Sequence, residues 1–353
     1  MSDFSIRVAD EQDRDEVVRL VSEMFEADIS ERYDWLYRGN PHGEAITWLA
    51  FEADQPDEAV ALTSVFQRKV MVNGQERMGS IGGDCYVMPK VRRRGLATKL
   101  HRACFADMRS AGVSFMYGPP LVNNLRALLK AGSNEVGVYR RFSRPLTGKA
   151  AVRAVTRRQR VPGPAAKLAT LPVALLDRVT QVATNRYSLT EVTEFGAEFD
   201  ALFAASKLPA RICPVRDAAF LTWRYLAPRQ RSQVPLALHR GDKLVGFAAY
   251  EAQDDVAVIV DVLGIDAEAT NAVIQLLVDR AKAEGRARVD YYVTPGSLKA
   301  AQLTRRGFVG RDDRVFQVAL SNGEPPGVLT DPASWFVTEG DKDMSTCFSD
   351  EPV

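Results

Sequence analysis

The sequence predicts an α/β protein with mixed sheets, folded as two tandem domains of one plan. Three observations predict it. At 353 residues the chain is too long for one ordinary core. Helix-period and strand-period stretches follow one another as helix, three strands, helix, strand, helix, strand. The same order then returns in the second half, with a Trp-x-Tyr segment at the corresponding place.

In the first half, Asp10 reads as the N-cap of a helix over 11–26, with Val17, Leu20, Val21, Met24 and Phe25 on one face. An irregular aromatic segment, Tyr33 to Pro41, follows. Strands are expected at 46–51, 59–69 and 75–87, the last two joined at Asn73-Gly74, a strong hairpin signal. A basic loop leads into a helix ending near Ala111, with Leu96, Leu100, Ala103, Cys104 and Met108 inward. Then come a strand at 113–117, a helix at 121–131 and a strand at 136–144. The second half repeats this with helices at 191–205, 267–284 and 297–306. Its strands fall at 235–239, 244–252, 256–263, 287–293 and 315–320, and Trp223-Arg224-Tyr225 echoes Trp35-Leu36-Tyr37. Between the halves, residues 140–167 hold nine Lys/Arg and no acid, broken by Pro162-Gly163-Pro164. This segment reads either as a solvated tether or as a contact for a polyanion, followed by a helix near 165–182.

Apolar content of 46% and charged content of 26% indicate a globular chain. A net charge of +1 gives no bulk argument for nucleic acid or membrane as partner. Four scattered cysteines and three scattered histidines form no CxxC or Cys/His cluster, so no metal site is expected and reduced thiols in a cytoplasm fit. No stretch approaches eighteen apolar residues, and the N-terminus carries no leader pattern, so export and a membrane span are not expected.

The stretch from Val87 to Leu100 is the most informative. A strand end, Pro89, the triplet Arg92-Arg93-Arg94, Gly95 and an amphipathic helix follow in close order. Such an arrangement aims backbone N–H groups and a positive helix end at one point, where a diphosphate fits without a specific side chain. A phosphorylated carrier is the expected ligand.

These residues resemble the acetyl-CoA loop of the GCN5-related N-acetyltransferase (GNAT) superfamily. Its Gln/Arg-x-x-Gly-x-Gly/Ala pattern is met by Arg92-x-x-Gly95-x-Ala97, after a strand ending Val-x-Pro. The order of elements agrees over 5–145 and, more weakly, over about 190–320. The resemblance implies two tandem acyl-CoA N-acyltransferase domains. Residues 1–145 would form the acetyl-CoA-binding domain, 146–188 a basic linker and helix, 189–320 a degenerate second domain and 321–353 a C-terminal tail. It implies acetyl-CoA as cosubstrate, with the pantetheine arm against the backbone of Tyr86, Val87 and Met88. The diphosphate would lie on the N–H groups of Arg93, Arg94, Gly95, Leu96, Ala97 and Thr98, with Arg92 adding attraction. The second half lacks the loop: after Val262-Leu263 it reads Gly264-Ile265-Asp266-Ala267-Glu268, whose acids repel phosphate.

The implied activity is direct acetyl transfer to a primary amine of a small molecule or amino sugar, driven mainly by approximation of the two substrates. Asp84, on the strand before the loop, is a candidate base, directly or through water; the other reading is that it caps a bulge at Gly82-Gly83. Cys85 alternates to the opposite face and reads as core. The family's usual general-acid Tyr is replaced by Leu128, and by Leu303 in the second half, and its upstream Asn by Leu121. Another group or water must then protonate the thiolate, with Tyr117 and Tyr139 as the candidate side chains. Glu26, with Glu23, Asp28 and Glu31, either attracts a cationic acceptor or forms a solvated face. Trp35 and Tyr37 either stack on substrate or pack at a domain interface. The rival functions are a peptidoglycan-type aminoacyl transferase using aminoacyl-tRNA, and a CoA-binding scaffold without activity. A homodimer is a further possibility.

Overall fold

The computed structural model describes residues 4–156, 163–207, 210–228, 232–296 and 300–342. It divides into two compact units, each assembled from separated parts of the sequence. The first draws on Met1–Val138, Arg314–Pro332 and Lys342–Val353, the second on Tyr139–Asp313 and Ala333–Asp341.

The first unit contains strands β1 (Phe4–Val8), β2 (Ile46–Glu52), β3 (Gln55–Val72), β4 (Gln75–Val87) and β5 (Phe115–Gly118). Its helices are α1 (Arg14–Phe25), α2 (Ser30–Arg32), α3 (Leu96–Asp107) and α4 (Val122–Ala131). The strands neighbour one another in that order, antiparallel up to β4, with β5 parallel to β4. Residues 317–320 then add a last strand, antiparallel to β5. Asp10 caps the first helical turn through a reciprocal capping box with Asp13. The β3–β4 turn has positive φ at both Asn73 (51°) and Gly74 (81°), as a two-residue hairpin of the twisted kind requires. Leu96, Leu100, Cys104 and Met108 bury one face of α3 against Trp48, Val65 and Met116.

The second unit contains β6 (Asn134–Pro145, from Tyr139 onward), α5 (Gly148–Thr156), α6 (Gly163–Leu168), α7 (Thr170–Thr180), β7 (Tyr187–Glu191) and α8 (Ala197–Ala205). It continues with β8 (Ile212–Pro214), α9 (Ala218–Tyr225), β9 (Gln233–Arg240), β10 (Lys243–Gln253) and β11 (Val256–Gly264). It ends with α10 (Ala267–Ala283), β12 (Arg288–Val293), α11 (Ala300–Arg305) and the start of β13 (Val309–Leu320). The strand order β7-β9-β10-β11-β12 repeats β1-β2-β3-β4-β5, including the parallel final pair, and β6 completes it antiparallel to β12.

Each sheet is thus finished by a strand from the other half of the sequence. The unit boundaries fall inside β6 and β13. Alternation marks a strand but does not say which neighbour will pair with it. Four further differences stand out. A strand at Phe4–Val8 precedes the first helix. The aromatic segment after Arg32 is helical, continuing through Arg38 as a wide turn. The helix expected over 191–205 is a strand, Tyr187–Glu191, followed by the shorter Ala197–Ala205. The basic segment is no plain tether. Arg140 pairs with Asp313, Arg141 with Asp290 and Asp312, and Arg144 with Asp177. Arg157, Arg158 and Arg160 lie outside the described residues.

Candidate active site

In the first unit β4 and β5 are paired only through Gly79↔Phe115, Ser80↔Met116 and Ile81↔Tyr117. β5 stops at Gly118, and Pro119-Pro120, which have no N–H, prevent its continuation. β4 runs on to Val87, held by β3 alone. Where the two part, β4 bulges. Thr63 faces Cys85 and Val65 faces Gly82, so Gly83 and Asp84 together oppose Ser64. Glycine is required there, because a Cβ on Gly83 would lie 2.0 Å from the Phe66 ring. The edge of β4 turned away from β3 therefore has no strand partner between Gly82 and Val87 among the described residues.

That open edge runs into the basic loop. Pro89–Val91 form a helical turn, and Val91 and Leu96 are buried anchors on either side of the arginines. Arg93 has φ 63° and Gly95 φ 77°, and Gly95 is the N-cap of α3 without any side-chain cap. A Cβ on Gly95 would meet nothing within 4 Å. The first-turn N–H groups of Leu96, Ala97 and Thr98 thus have no side-chain cap at the positive end of the helix. The arginines divide. Arg92 Nε donates to Val87 O at 2.9 Å, with its guanidinium 5.8 Å from the Tyr86 ring. Arg94 is drawn away to Glu52 (2.8 Å) and the Phe4 face. Arg93 is exposed and makes no ion pair among the described residues.

Asp84 sits in the bulge, 5% exposed. Arg32 Nη1 and Nη2 donate to its two oxygens at 2.5 and 2.9 Å, and Tyr37 Oη donates at 2.7 Å. Burial first, and then the Asp84 charge, push the Tyr37 phenol well up, so it stays a donor. The second unit holds the counterpart. Asp261 occupies the same place in β11, beside a bulge between Ala249 and Tyr250 of β10. It is clasped by Arg216 at 2.9–3.0 Å and approached by Tyr225 Oη at 3.4 Å. Tyr37 and Tyr225 are the tyrosines of the two Trp-x-Tyr segments. At the loop the two units differ. In the second, the Asp266 carboxylate itself caps α10 by accepting from Ala269 N (2.8 Å), and a Cβ on Gly264 would lie 2.4 Å from Thr270 N. The α10 N-terminus is capped by a carboxylate, whereas that of α3 has no side-chain cap.

The remaining candidates fall as follows. Tyr117 is buried between the Phe115 and Phe316 rings. Tyr139 belongs to the second unit, where it donates to Glu339 at 2.8 Å; burial and the Glu339 charge hold its phenol well above the usual range. Tyr86 is half-buried on β4, and Val87 and Met88 form the strand end. Glu26 is an exposed residue closing α1 at φ 53°. Trp35 is half-buried, whereas Tyr37 stacks on Tyr33 at 4.9 Å with its hydroxyl spent on Asp84. Leu128 is core. Cys85 is half-buried, and burial pushes its thiol up to about 11. Its Sγ lies 3.7 Å from His101 Nε2, which also meets Asn124 Oδ1 at 2.8 Å. Sequence reasoning missed Arg32, His101 and Asn124. Each acts on a partner 16 to 52 residues away, which periodicity does not register.

Residues 5–142 match the family model described as Acetyltransferase (GNAT) domain. Among solved structures, the chain is similar to a conserved protein of unknown function from Enterococcus faecalis V583, a probable N-acyltransferase. The TM-score is 0.63 at 10% identity, covering 90% of this chain and 73% of that one. It is similar to a GCN5-related N-acetyltransferase from Anabaena variabilis ATCC 29413, with TM-score 0.62, 12% identity and coverage of 90% and 72%. It is also similar to Saccharomyces cerevisiae N-myristoyltransferase with bound myristoyl-CoA, with TM-score 0.54, 13% identity and coverage of 92% and 80%. At these identities the likeness is one of fold. No curated protein matches by sequence.

Proposed function

We propose that the protein transfers an acetyl group from acetyl-CoA to a primary amine of a small molecule or amino sugar, using the first unit. The observation that carries this is the continuity between the open β4 edge and the uncapped N-terminus of α3. Acetyl-CoA supplies an acyl group activated as a thioester. Tyr86, Val87 and Met88 offer backbone to the pantetheine arm. The N–H groups of Arg93, Arg94, Gly95, Leu96, Ala97 and Thr98 surround the diphosphate, with Arg92 and Arg93 as cations. The fit is supported by the empty space at the Gly95 Cβ position, which leaves the backbone approachable.

In the transfer the amine nitrogen bonds to the acyl carbon, the C–S bond breaks, the amine gives up a proton and the thiolate gains one. Asp84 has both oxygens engaged by Arg32 and Tyr37, so we assign it to holding the bulged strand rather than to taking that proton. With leucine at position 128, water is the proton donor to sulfur that fits best; Tyr117 and Tyr139 are both buried. We assign exposed Glu26 to attracting the acceptor amine and half-buried Trp35 to stacking on it. Approximation supplies most of the rate.

Isothermal titration with acetyl-CoA tests the reading. Gly95→Glu places a carboxylate at the diphosphate position and is expected to weaken binding by about a hundredfold or more, roughly 3 kcal/mol, with the circular dichroism spectrum unchanged. Unchanged affinity overturns the assignment. Tight binding without thiol release across a panel of amines favours a CoA-binding scaffold instead.

A further inference from the structure

We infer that helix α7 docks the protein onto an anionic lipid surface. On α7, Leu171, Leu175 and Val179 recur every four residues and are 76, 63 and 75% exposed, and Leu168, the last residue of α6, is 79% exposed. Three large apolar side chains in one stripe on a settled helix, with exposed Leu168 at the end of the helix before it, call for a partner. The other face of α7 is firmly seated in the second unit. Val173 is buried, and Leu176 covers Gly307, where a Cβ would lie 2.7 Å from Leu176 Cδ2. Arg144 Nη2 donates to Asp177 at 2.8 Å and to Thr180 at 3.0 Å, and Lys282 pairs with Asp177 at 2.9 Å. The stripe is therefore the outward side of a fixed helix.

Charge selects the partner. From 163 to 181 the only acid is Asp177, and it is turned inward into its ion pairs. Lys167 and Arg178 beside the stripe are exposed, as is Lys149 on α5. A second copy meeting this face by two-fold symmetry would set the same cations against each other. The stripe is also a convex ridge of a single helix, not a groove that would receive a peptide. An apolar ridge rimmed by Lys and Arg matches the headgroup boundary of an anionic bilayer, where such helices lie in the plane of the interface. Among the described residues no helix is long and apolar enough to cross a membrane, so the contact is superficial.

Co-sedimentation of the full chain with vesicles tests this. Equimolar phosphatidylglycerol–phosphatidylcholine vesicles should retain the protein and pure phosphatidylcholine vesicles should not. The triple variant Leu171→Ser, Leu175→Ser, Val179→Ser should lower partitioning by at least about tenfold, because the inserted apolar area is lost. Lys167→Gln with Arg178→Gln should lower it at moderate salt while leaving the ridge intact. Failure of the wild type to sediment, equal retention by neutral vesicles, or retention unaffected by the triple variant overturns the proposal. So does a dimer in light scattering that the triple serine variant converts to monomer, since the ridge would then be a self-contact.

Discussion

Asp84 and Asp261 occupy the same place in their sheets, but only Asp84 lies on a strand that leads to an uncapped loop. A carboxylate, an arginine clasp and the tyrosine of Trp-x-Tyr are present in both units, so the constellation does not depend on a ligand site. Asp84→Asn leaves the Arg32 charge buried without its partner. It should cost about 3–5 kcal/mol in urea unfolding, the penalty for breaking a buried pair. A residue serving only as base would instead leave stability intact and lower kcat. Cys85 gives a pH test. Its thiol is raised by burial to about 11, so the folded state holds this proton more tightly than the unfolded chain. The stability it contributes is complete below the usual thiol range near 9 and is lost as pH rises through about 11. Iodoacetamide labelling, followed on the Cys85 peptide by mass spectrometry, should be slow at pH 8 and accelerate only toward pH 11. At this scale the turn at Gly95 was legible, since a glycine directly before an amphipathic helix leaves a local spacing. Arg32 was not, because a pair formed across 52 residues leaves none.

On the proposed function, the N-termini of α3 and α10 account for a CoA site in the first unit and none in the second. α10 satisfies its own first turn through Asp266, whereas α3 leaves that turn open behind Gly95. Asp266→Gly should remove an N-cap and cost at most about 1 kcal/mol in thermal or urea unfolding, without creating a CoA site, because Glu268 and the packed Thr270 remain. Gly95→Ala should cost about 1 kcal/mol for its positive φ and largely keep acetyl-CoA affinity, in contrast to Gly95→Glu. The hairpin at Asn73-Gly74 and the α3 face were readable because turn chemistry and helical spacing are local signals. The strands Phe4–Val8 and Tyr187–Glu191 were missed because they are short and only partly buried, which weakens alternation. The aromatic segment was read as irregular because its helical geometry comes from the seating of Tyr37 and Leu36 in the core rather than from propensity.

At the scale of the whole molecule, duplication was legible and strand exchange was not. Phe115–Gly118 is buried throughout and paired on one side with residues 317–320. A fragment ending at 145 would leave that edge bare, together with the rings that meet Phe316. Expressed alone, residues 1–145 should aggregate or bind a hydrophobic dye, while the full chain stays monodisperse in size-exclusion chromatography. The central claim is that the first unit receives coenzyme A along the open β4 edge and at the α3 N-terminus. Hydrogen–deuterium exchange with and without acetyl-CoA tests it most directly. Amides within 82–88 and 93–98 should slow markedly on addition of ligand, with those around Asp266–Asn271 unchanged. Ligand-independent exchange at 82–98, or protection appearing at the α10 N-terminus instead, would contradict the account.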